Sequence, residues 1–456
     1  MGRIVIKCKG KIAQEEDMAK NRPTVGLYTL GCKVNQYESE AIAERLSHLG
    51  FEVSSPSEAC DAYVINTCTV TAESDRKARQ FIRRAIKKNP AAVVAVTGCL
   101  AETGRESLEA IEGVDIIVGN ARKLPVADEV AALVREGRKN ESPKLTVGSI
   151  EDADFEPMAI TRFDRTRAYV KIEDGCESRC AYCIIPAARG RIRSKPMEQV
   201  LSEVCALTRG GCREVVLTGI ETASYGKDLY GCPCLAELLE RVDMIEGIGR
   251  VRLGSLDPSL IRPEFVKKIA GLRSLAPHFH LSLQSGCSRI LALMKRRYNA
   301  EQAMRAIELL RDSIEGVQFT TDVIVGFPQE TDEDFRKTYE FLDRAGFLMA
   351  HVFTYSKREG TVAAEMSGQI PEGVKTERLH ILEELCHKRR GEILSDMART
   401  GQTRSVLFET EKDGFLYGHT AEFVEVAVKG DATLRGEFAN VRIVSANNDI
   451  CFGELI

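Results

Sequence analysis

Cys176, Cys180 and Cys183 fall within ten residues, DGCESRCAYC. Thiols at that spacing, in a chain with no disulfide framework, are more often metal ligands or catalytic thiols than bridges. Structural zinc wants four closed ligands, and a [4Fe–4S] cluster is also normally held by four thiolates. This loop supplies three, and the closest histidines in sequence are His48 and His278. A three-thiolate cluster leaves one iron open to chelate a small ligand. A zinc knuckle is the structural alternative.

Three further cysteines share a positional logic. Cys32 stands in TLGCKVNQ, Cys68 in NTCTV and Cys99 in TGCLAE. Each follows an apolar run of strand character: VGLYTL (25–30), AYVINT (62–67) and AVVAVT (92–97). In a parallel sheet the carboxyl ends of the strands lie along one edge, where ligands bind. Buried inert cysteine is the bland reading, but three equivalent placements favour a shared ligand. Of the remaining thiols, Cys232 and Cys234 in GCPC are the most conspicuous and have no evident partner.

The elements around these residues set the frame. The chain has 456 residues and 15 cysteines, an odd number that argues against a disulfide framework. Its apolar content of 44% and charged content of 29% are those of a globular protein. The net charge is -4, so no global positive field draws in nucleic acid and any such binding needs local patches. The start, MGRIVIKCKG, has only a short apolar stretch broken by lysine, which is no signal peptide. No apolar run approaches the ~20 residues of a membrane span. The reading is a reducing cytoplasmic compartment and no membrane.

Residues 1–20 read as a disordered extension, with Cys8 inert and Met18 an alternative start. Residues 21–140 alternate strand and helix and form an N-terminal parallel α/β sheet domain. Residues 141–165 read as a linker. Residues 166–394 hold six more strands: AYVKIE, EVVLTG, RVRLGS, HFHLSLQ, VQFTTDVIVG and LMAHVFTYS, closed by a connecting helix at 375–394. Six βα units predict a partial (β/α)6 barrel with function at the carboxyl ends of its strands; a doubly wound sheet is the alternative. Residues 395–456 turn to short alternating strands, a small C-terminal all-β barrel or sandwich. The fold class is therefore multidomain α/β with an all-β end.

CxxxCxxC after the first strand of a partial barrel resembles the radical S-adenosylmethionine enzymes. The resemblance implies that the open iron chelates the amino and carboxylate groups of S-adenosylmethionine. One electron then cleaves it to a 5′-deoxyadenosyl radical. With Cys32, Cys68 and Cys99 and the β domain added, the chain resembles the methylthiotransferases from residue 24 onward. That implies two [4Fe–4S] clusters, the N-terminal one auxiliary and concerned with sulfur, and an RNA-binding β-barrel of the TRAM type. TLGCKVNQYESE, YVKIEDGC, CIIPAARGRIRS, HLSLQSG and HVFTYSKREGT are most similar to the MtaB-like branch. That branch acts on N6-threonylcarbamoyladenosine at position 37 of tRNA. Lys33-Val34-Asn35 matches neither the GCQMN of the isopentenyladenosine branch nor the GCPKN of the ribosomal-protein S12 branch. Ala187, Glu177-Ser178 and Ile220-Glu221 depart from the branch's usual residues.

The implied catalytic residues are Cys176, Cys180 and Cys183. Tyr182, Gly219, Glu221, Gln284 and Asp322 would contact S-adenosylmethionine, with Gly326-Phe327-Pro328 near its adenine. The implied reaction turns C2–H of the adenine into C2–S–CH3, too hard a step for acid–base groups alone. A sulfur donor and a reductant such as a flavodoxin or ferredoxin are implied partners. The rival functions are methylthiolation of ribosomal protein S12 or of isopentenyladenosine tRNA, and a non-catalytic metal-cluster RNA-binding protein. For tRNA phosphates, Arg189, Arg191, Arg193 and Lys195 are the favoured patch. Seven basic residues between Arg76 and Lys88, on one side of a helix, and Lys295, Arg296 and Arg297 are the other candidates. The last domain is acidic, with six basic and ten acidic residues, and its Phe415, Tyr417 and Phe423 read as core.

Overall fold

The computed structural model describes residues 22–456 apart from 138, 141 and 164. The extension at 1–20, with Cys8 and Met18, lies outside the described residues. The chain divides into two compact units, one running to Thr69 and including Glu73–Ile150, the other comprising Val70–Ala72 and Glu151–Ile456.

The first unit is built on six strands: β1 (Thr24–Thr29), β2 (Glu52–Ser54), β3 (Ala62–Thr67), β4 (Val93–Gly98), β5 (Ile116–Val118) and β6 (Lys144–Thr146). They pair in the order β2-β1-β3-β4-β5-β6, every pairing parallel. Every residue of β3 and β4 is buried, as strands covered on both faces require. One core layer gathers Ile65, Ile82 and Val96. The other gathers Val64, Ala95, Ile42 and Val130. The helix after β1 begins at Lys33, directly behind Cys32.

Two strands were not legible in the sequence. β2 (EVS) and β6 (KLT) are short, polar edge strands. β6 lies in the stretch read as linker and corrects it there: Lys144–Thr146 pairs parallel with β5, and Lys144 and Thr146 also reach Glu129 with their side chains. An open sheet edge offers unpaired N–H and C=O groups that any short segment satisfies without an apolar pattern.

In the second unit β7 (Arg167–Lys171), β10 (Glu214–Thr218) and β11 (Arg250–Leu253) form one parallel sheet, with β10 central. β12 (Ser255–Leu256), β13 (His278–Gln284), β14 (Gln318–Val325) and β15 (Met349–Thr354) form the other. Only Gly254 separates β11 from β12; a Cβ there would lie 3.2 Å from the Thr218 hydroxyl oxygen. Strand order thus follows chain order through six parallel positions, the arc of a partial barrel. β8 (Glu173–Asp174) and β9 (Arg193–Ser194) are a small antiparallel pair just past β7.

The helix Glu372–Thr400 leads into β16 (Thr403–Lys412), β17 (Phe415–Thr420), β18 (Glu425–Lys429), β19 (Phe438–Ala446) and β20 (Cys451–Leu455). These close into a barrel, β16-β17-β18-β20-β19, with Val406, Phe408, Leu416 and Val441 inside. The alternating burial of β17 is the period-2 signature of such a strand.

This small barrel docks on the amino ends of the large barrel's strands through a buried ionic cluster. Glu214 opens β10 and accepts hydrogen bonds from Arg252 Nε at 2.8 Å and Arg250 Nη1 at 3.1 Å, with Arg167 Nε an ion-pair contact at 3.2 Å. Arg252 also donates to the carbonyls of Thr420 and Ala421, and Arg250 to those of Ser405 and His419. Arg167 pairs with Glu409, which also holds His419. Burial alone would raise the Glu214 carboxyl, but Arg252, Arg167 and Arg250 outweigh it and bring it down to about 2. The Phe423 ring fills the joint, stacked on His278 and on His419 with centroids 4.7 Å apart in each case.

Candidate functional site

The Cys176–Cys183 loop leaves the carboxyl end of β7 and is pinned from below. Gly175 has φ +81, and a Cβ there would lie 1.9 Å from the Arg191 carbonyl oxygen, so only glycine fits. Ala181, fully buried, donates its N–H to Met294 at 2.9 Å and accepts from Ala363 at 2.7 Å. Beneath it pack Phe327, Cys287, Ile290 and Tyr355. Phe327 is therefore core under the loop.

The three thiols sit in distinct polar surroundings. Cys176 Sγ lies 3.1 Å from Glu221 Oε2 and accepts the Ser178 N–H at 3.3 Å. Burial, then the Glu221 carboxylate, push that thiol up, so a cation is what would draw its proton off. Cys180 Sγ accepts Arg296 Nη1 at 3.3 Å. Arg296 is fixed by Asp257 at 2.8 Å and by the Ser282 carbonyl at 2.9 Å. A positive, hydrogen-bonding group on a ligand sulfur is one lever by which a protein sets a cluster's potential. Arg296 is thus a site residue that the sequence reading placed in an RNA patch. Its only signal was a basic run after a barrel helix.

Tyr182, Cys183, Gln284 and Asp322 line one pocket together with Ile324 and Phe353. Gln284 ends β13 with φ +68 and a register shift against β14. A non-glycine residue held in the left-handed region is the kind of strain that gathers at ligand sites. Asp322 Oδ2 lies 3.2 Å from His280 Nε2. His280 Nδ1 in turn meets Thr320 Oγ1 at 2.9 Å, and Thr320 meets His278 Nε2 at 3.1 Å. This string of alternate positions on β13 and β14 fixes the Asp322 rotamer.

Gly219 and Glu221 stand apart from that pocket. A Cβ on Gly219 would lie 2.6 Å from Glu173 Oε2. Glu173 is fully buried; it accepts the Glu221 N–H at 2.7 Å while its other oxygen has no partner. Burial pushes its carboxyl well up. Glu221 faces a separate cleft, where it receives Arg297 at 3.4 Å.

The favoured phosphate patch needs correction. Arg189, Arg193 and Lys195 are buried, and only Arg191 is exposed. Arg189 donates to Asp174 at 2.8 Å, Arg193 lies 3.6 Å from the same carboxylate, and Lys195 pairs with Glu203. Burial would raise Asp174, but Arg189, Lys171 and Arg193 hold it well below the usual carboxylate range. These cations are internal partners of the loop's base. Arg83, Arg84, Lys87 and Lys88 are exposed on the helix Ala72–Lys88, opposite buried Ala78, Ile82 and Ala85.

In the first unit Cys32, Cys68 and Cys99 follow β1, β3 and β4, which are direct neighbours in the sheet. Cys32 precedes the first turn of the helix Lys33–His48, and Cys99 opens the helix Cys99–Thr103. A Cβ on Gly31, with φ +102, would lie 3.1 Å from Cys68 Sγ. The Asn35 amide closes the turn onto the carbonyls of Leu30 and Thr67, at 2.8 and 2.9 Å. Cys68 and Cys99 are buried and Cys32 is exposed.

A six-position parallel arc with a three-thiol loop past its first strand defines a radical S-adenosylmethionine enzyme. The Radical SAM superfamily matches residues 170–342, and the Uncharacterized protein family UPF0004 matches residues 24–119. The chain is 38% identical to the threonylcarbamoyladenosine tRNA methylthiotransferase MtaB of Bacillus subtilis, over 95% of this chain and 96% of that protein. It is 35% identical to the tRNA-2-methylthio-N(6)-dimethylallyladenosine synthase of Aquifex aeolicus, over 94% and 97%. In fold it is similar to the radical S-adenosylmethionine methyltransferase TsrM of Kitasatospora setae, with TM-score 0.54, 16% identity and coverage of 75% and 77%. The chain belongs to the radical S-adenosylmethionine methylthiotransferases. The cofactors of that family are [4Fe–4S] clusters and S-adenosylmethionine. Among the described residues no helix is long and apolar enough to cross a membrane.

Proposed function

We propose that this chain is a tRNA methylthiotransferase that converts N6-threonylcarbamoyladenosine at position 37 to its 2-methylthio derivative. The observation that carries the reading is identity of 38% with the Bacillus subtilis MtaB protein along nearly all of both chains. Lys33-Val34-Asn35 after the first cysteine of the N-terminal unit agrees with it. Relatives at 35% identity named for dimethylallyladenosine keep that base as the second reading.

Cys176, Cys180 and Cys183 would hold the cluster of the barrel, and Cys32, Cys68 and Cys99 the auxiliary one. Each set offers three thiols, the donor type of a [4Fe–4S] cluster, and Arg296 donates to Cys180 Sγ in the barrel set. The barrel cluster supplies, when bound, the electron that cleaves S-adenosylmethionine. Gln284 and Asp322 offer the pocket hydrogen-bonding groups for that cofactor, and Tyr182 offers an apolar ring wall. Glu173, its carboxyl pushed well up by burial, supports the turn at Gly219 by accepting the Glu221 N–H. Exposed Arg83, Arg84 and Lys87 would meet phosphates. A sulfur donor, a flavodoxin- or ferredoxin-type reductant and a cytoplasmic setting complete the reading.

The test is mass spectrometry of tRNA nucleosides from a strain lacking the gene and from one complemented with it. Loss and return of 2-methylthio-N6-threonylcarbamoyladenosine is expected. Loss of the dimethylallyl nucleoside instead would establish the second reading.

A further inference from the structure

Cys232 and Cys234 have no part in the function above, yet the structure builds a site around them. Gly226 and Gly231, with φ +86 and +77, bracket the short helix Lys227–Tyr230 and fold the chain back on itself. The Cys234 N–H closes the turn on the Tyr225 carbonyl at 2.8 Å. Asp228 accepts the Ser194 N–H at 2.9 Å and ties the turn to β9. The result is a rigid presentation of two thiols, Sγ to Sγ 3.8 Å apart, Cys232 exposed and Cys234 half-buried. Cys232 lines a cleft of about 580 Å³ whose walls include Glu221, Lys227, Arg262, Lys268 and Arg297. Glu221 is the residue that touches Cys176. Around the exposed thiol the cleft sets Lys227, Arg262, Lys268 and Arg297 against Glu221, Glu237 and Glu264, a cationic excess that favours the approach of anionic sulfur.

We propose that Cys232 and Cys234 are a sulfane-sulfur acceptor that supplies the sulfur of the methylthio group. The proposal rests on the methylthiotransferase reading, which consumes one sulfur atom per product. The Cys232 thiolate attacks the terminal sulfur of a persulfide or polysulfide, R–S–SH. The R–S bond to that sulfur breaks, RS⁻ leaves, and Cys232 carries –S–SH. The Cys234 thiolate then attacks Cys232 Sγ, an S–S bond forms between the two residues, and HS⁻ is released into the cleft. A dithiol reductant returns both residues to thiols, giving up two electrons and two protons and becoming a disulfide. Burial, then the adjoining Cys232, raise the Cys234 thiol to about 11. The exposed Cys232 is therefore the acceptor and the half-buried Cys234 the resolving thiol.

The test uses the anaerobic holoenzyme and inorganic polysulfide carrying a heavy sulfur isotope. Tryptic peptide 228–241 contains both thiols. In the wild type it is expected to gain one heavy sulfur at Cys232 and then convert to the internal disulfide as hydrosulfide appears. Cys234→Ser should trap the persulfide, and Cys232→Ser should take up none. Labelling of Cys205 or Cys386 as fast as Cys232, or no label in the peptide, would overturn the assignment. With polysulfide as the only sulfur source, the double serine variant should form product about tenfold more slowly than wild type. With free sulfide the two should agree, and equal rates on polysulfide refute the proposal. If neither protein methylthiolates tRNA, the function reading fails while the peptide labelling still decides this one.

Discussion

Replacing Glu214 with Gln tests the joint between the two barrels. The carboxylate sits among Arg167, Arg250 and Arg252, with Glu409 the next acid in the cluster. Its carboxyl lies at about 2 against an ordinary 4.5. A difference of roughly 2.5 pH units is worth roughly 3.4 kcal/mol of stability at pH 7. Because the amide also leaves three desolvated guanidiniums under-compensated, that is a lower bound, consistent with ~3–5 kcal/mol for breaking a buried pair. For a unit of this size the loss is roughly 5 °C or more in Tm. The pH dependence has a definite sign. A depressed carboxyl contributes its stability fully above about 4.5 and loses it as the pH falls toward about 2. By pH 3.5 about 1.4 kcal/mol of it should be gone from the wild type and none from the variant. Calorimetry of cluster-free protein at pH 7 and pH 3.5 reads both quantities. A Glu214→Gln variant within about 0.5 kcal/mol of wild type at pH 7, or a gap that does not narrow in acid, would refute the reasoning.

Other outcomes follow from the site. The Cys176/Cys180/Cys183→Ala variant should keep about half of the roughly eight irons per chain and lose S-adenosylmethionine cleavage. The Cys32/Cys68/Cys99→Ala variant should also keep about half, yet still cleave S-adenosylmethionine without forming product. Iron analysis with 5′-deoxyadenosine quantitation separates the two. Gly175→Ala places a methyl carbon 1.9 Å from the Arg191 carbonyl oxygen and must move the loop; at ~1 Å of displacement, turnover should drop about 100-fold. Arg296→Met removes the cation from Cys180 Sγ and should make the barrel cluster harder to reduce, read as a more negative midpoint in an EPR redox titration. An unchanged midpoint would assign Arg296 to packing alone.

Much of this fold is written in local pattern. Strands buried on both faces, such as AYVINT and VVAVTG, announce themselves by β-branched runs, and the terminal barrel by alternation. β2 and β6 gave no such signal, since each joins the sheet through a neighbour's backbone and needs no apolar run to do so. Basic clusters misled for a related reason. Arg193 and Lys195 look like surface charge in isolation; their neutralising acids, Asp174 and Glu203, arrive by folding.

By itself the sequence determined the chemistry on offer: three thiols at fixed local spacing, and three more at the ends of apolar runs. Spacing within a loop is local, so it survives without a fold. Tertiary structure alone decided what surrounds those thiols. It made β1, β3 and β4 neighbours, so that Cys32, Cys68 and Cys99 follow adjacent strands. It brought Arg296 to Cys180 and Glu221 to Cys176 across more than forty residues of chain. It seated the acidic β barrel on a buried arginine cluster at the end of the large barrel away from the thiol loop. Such contacts come from strand order and from the pairing of buried charge, which depend on which distant segments meet, and no local pattern encodes that.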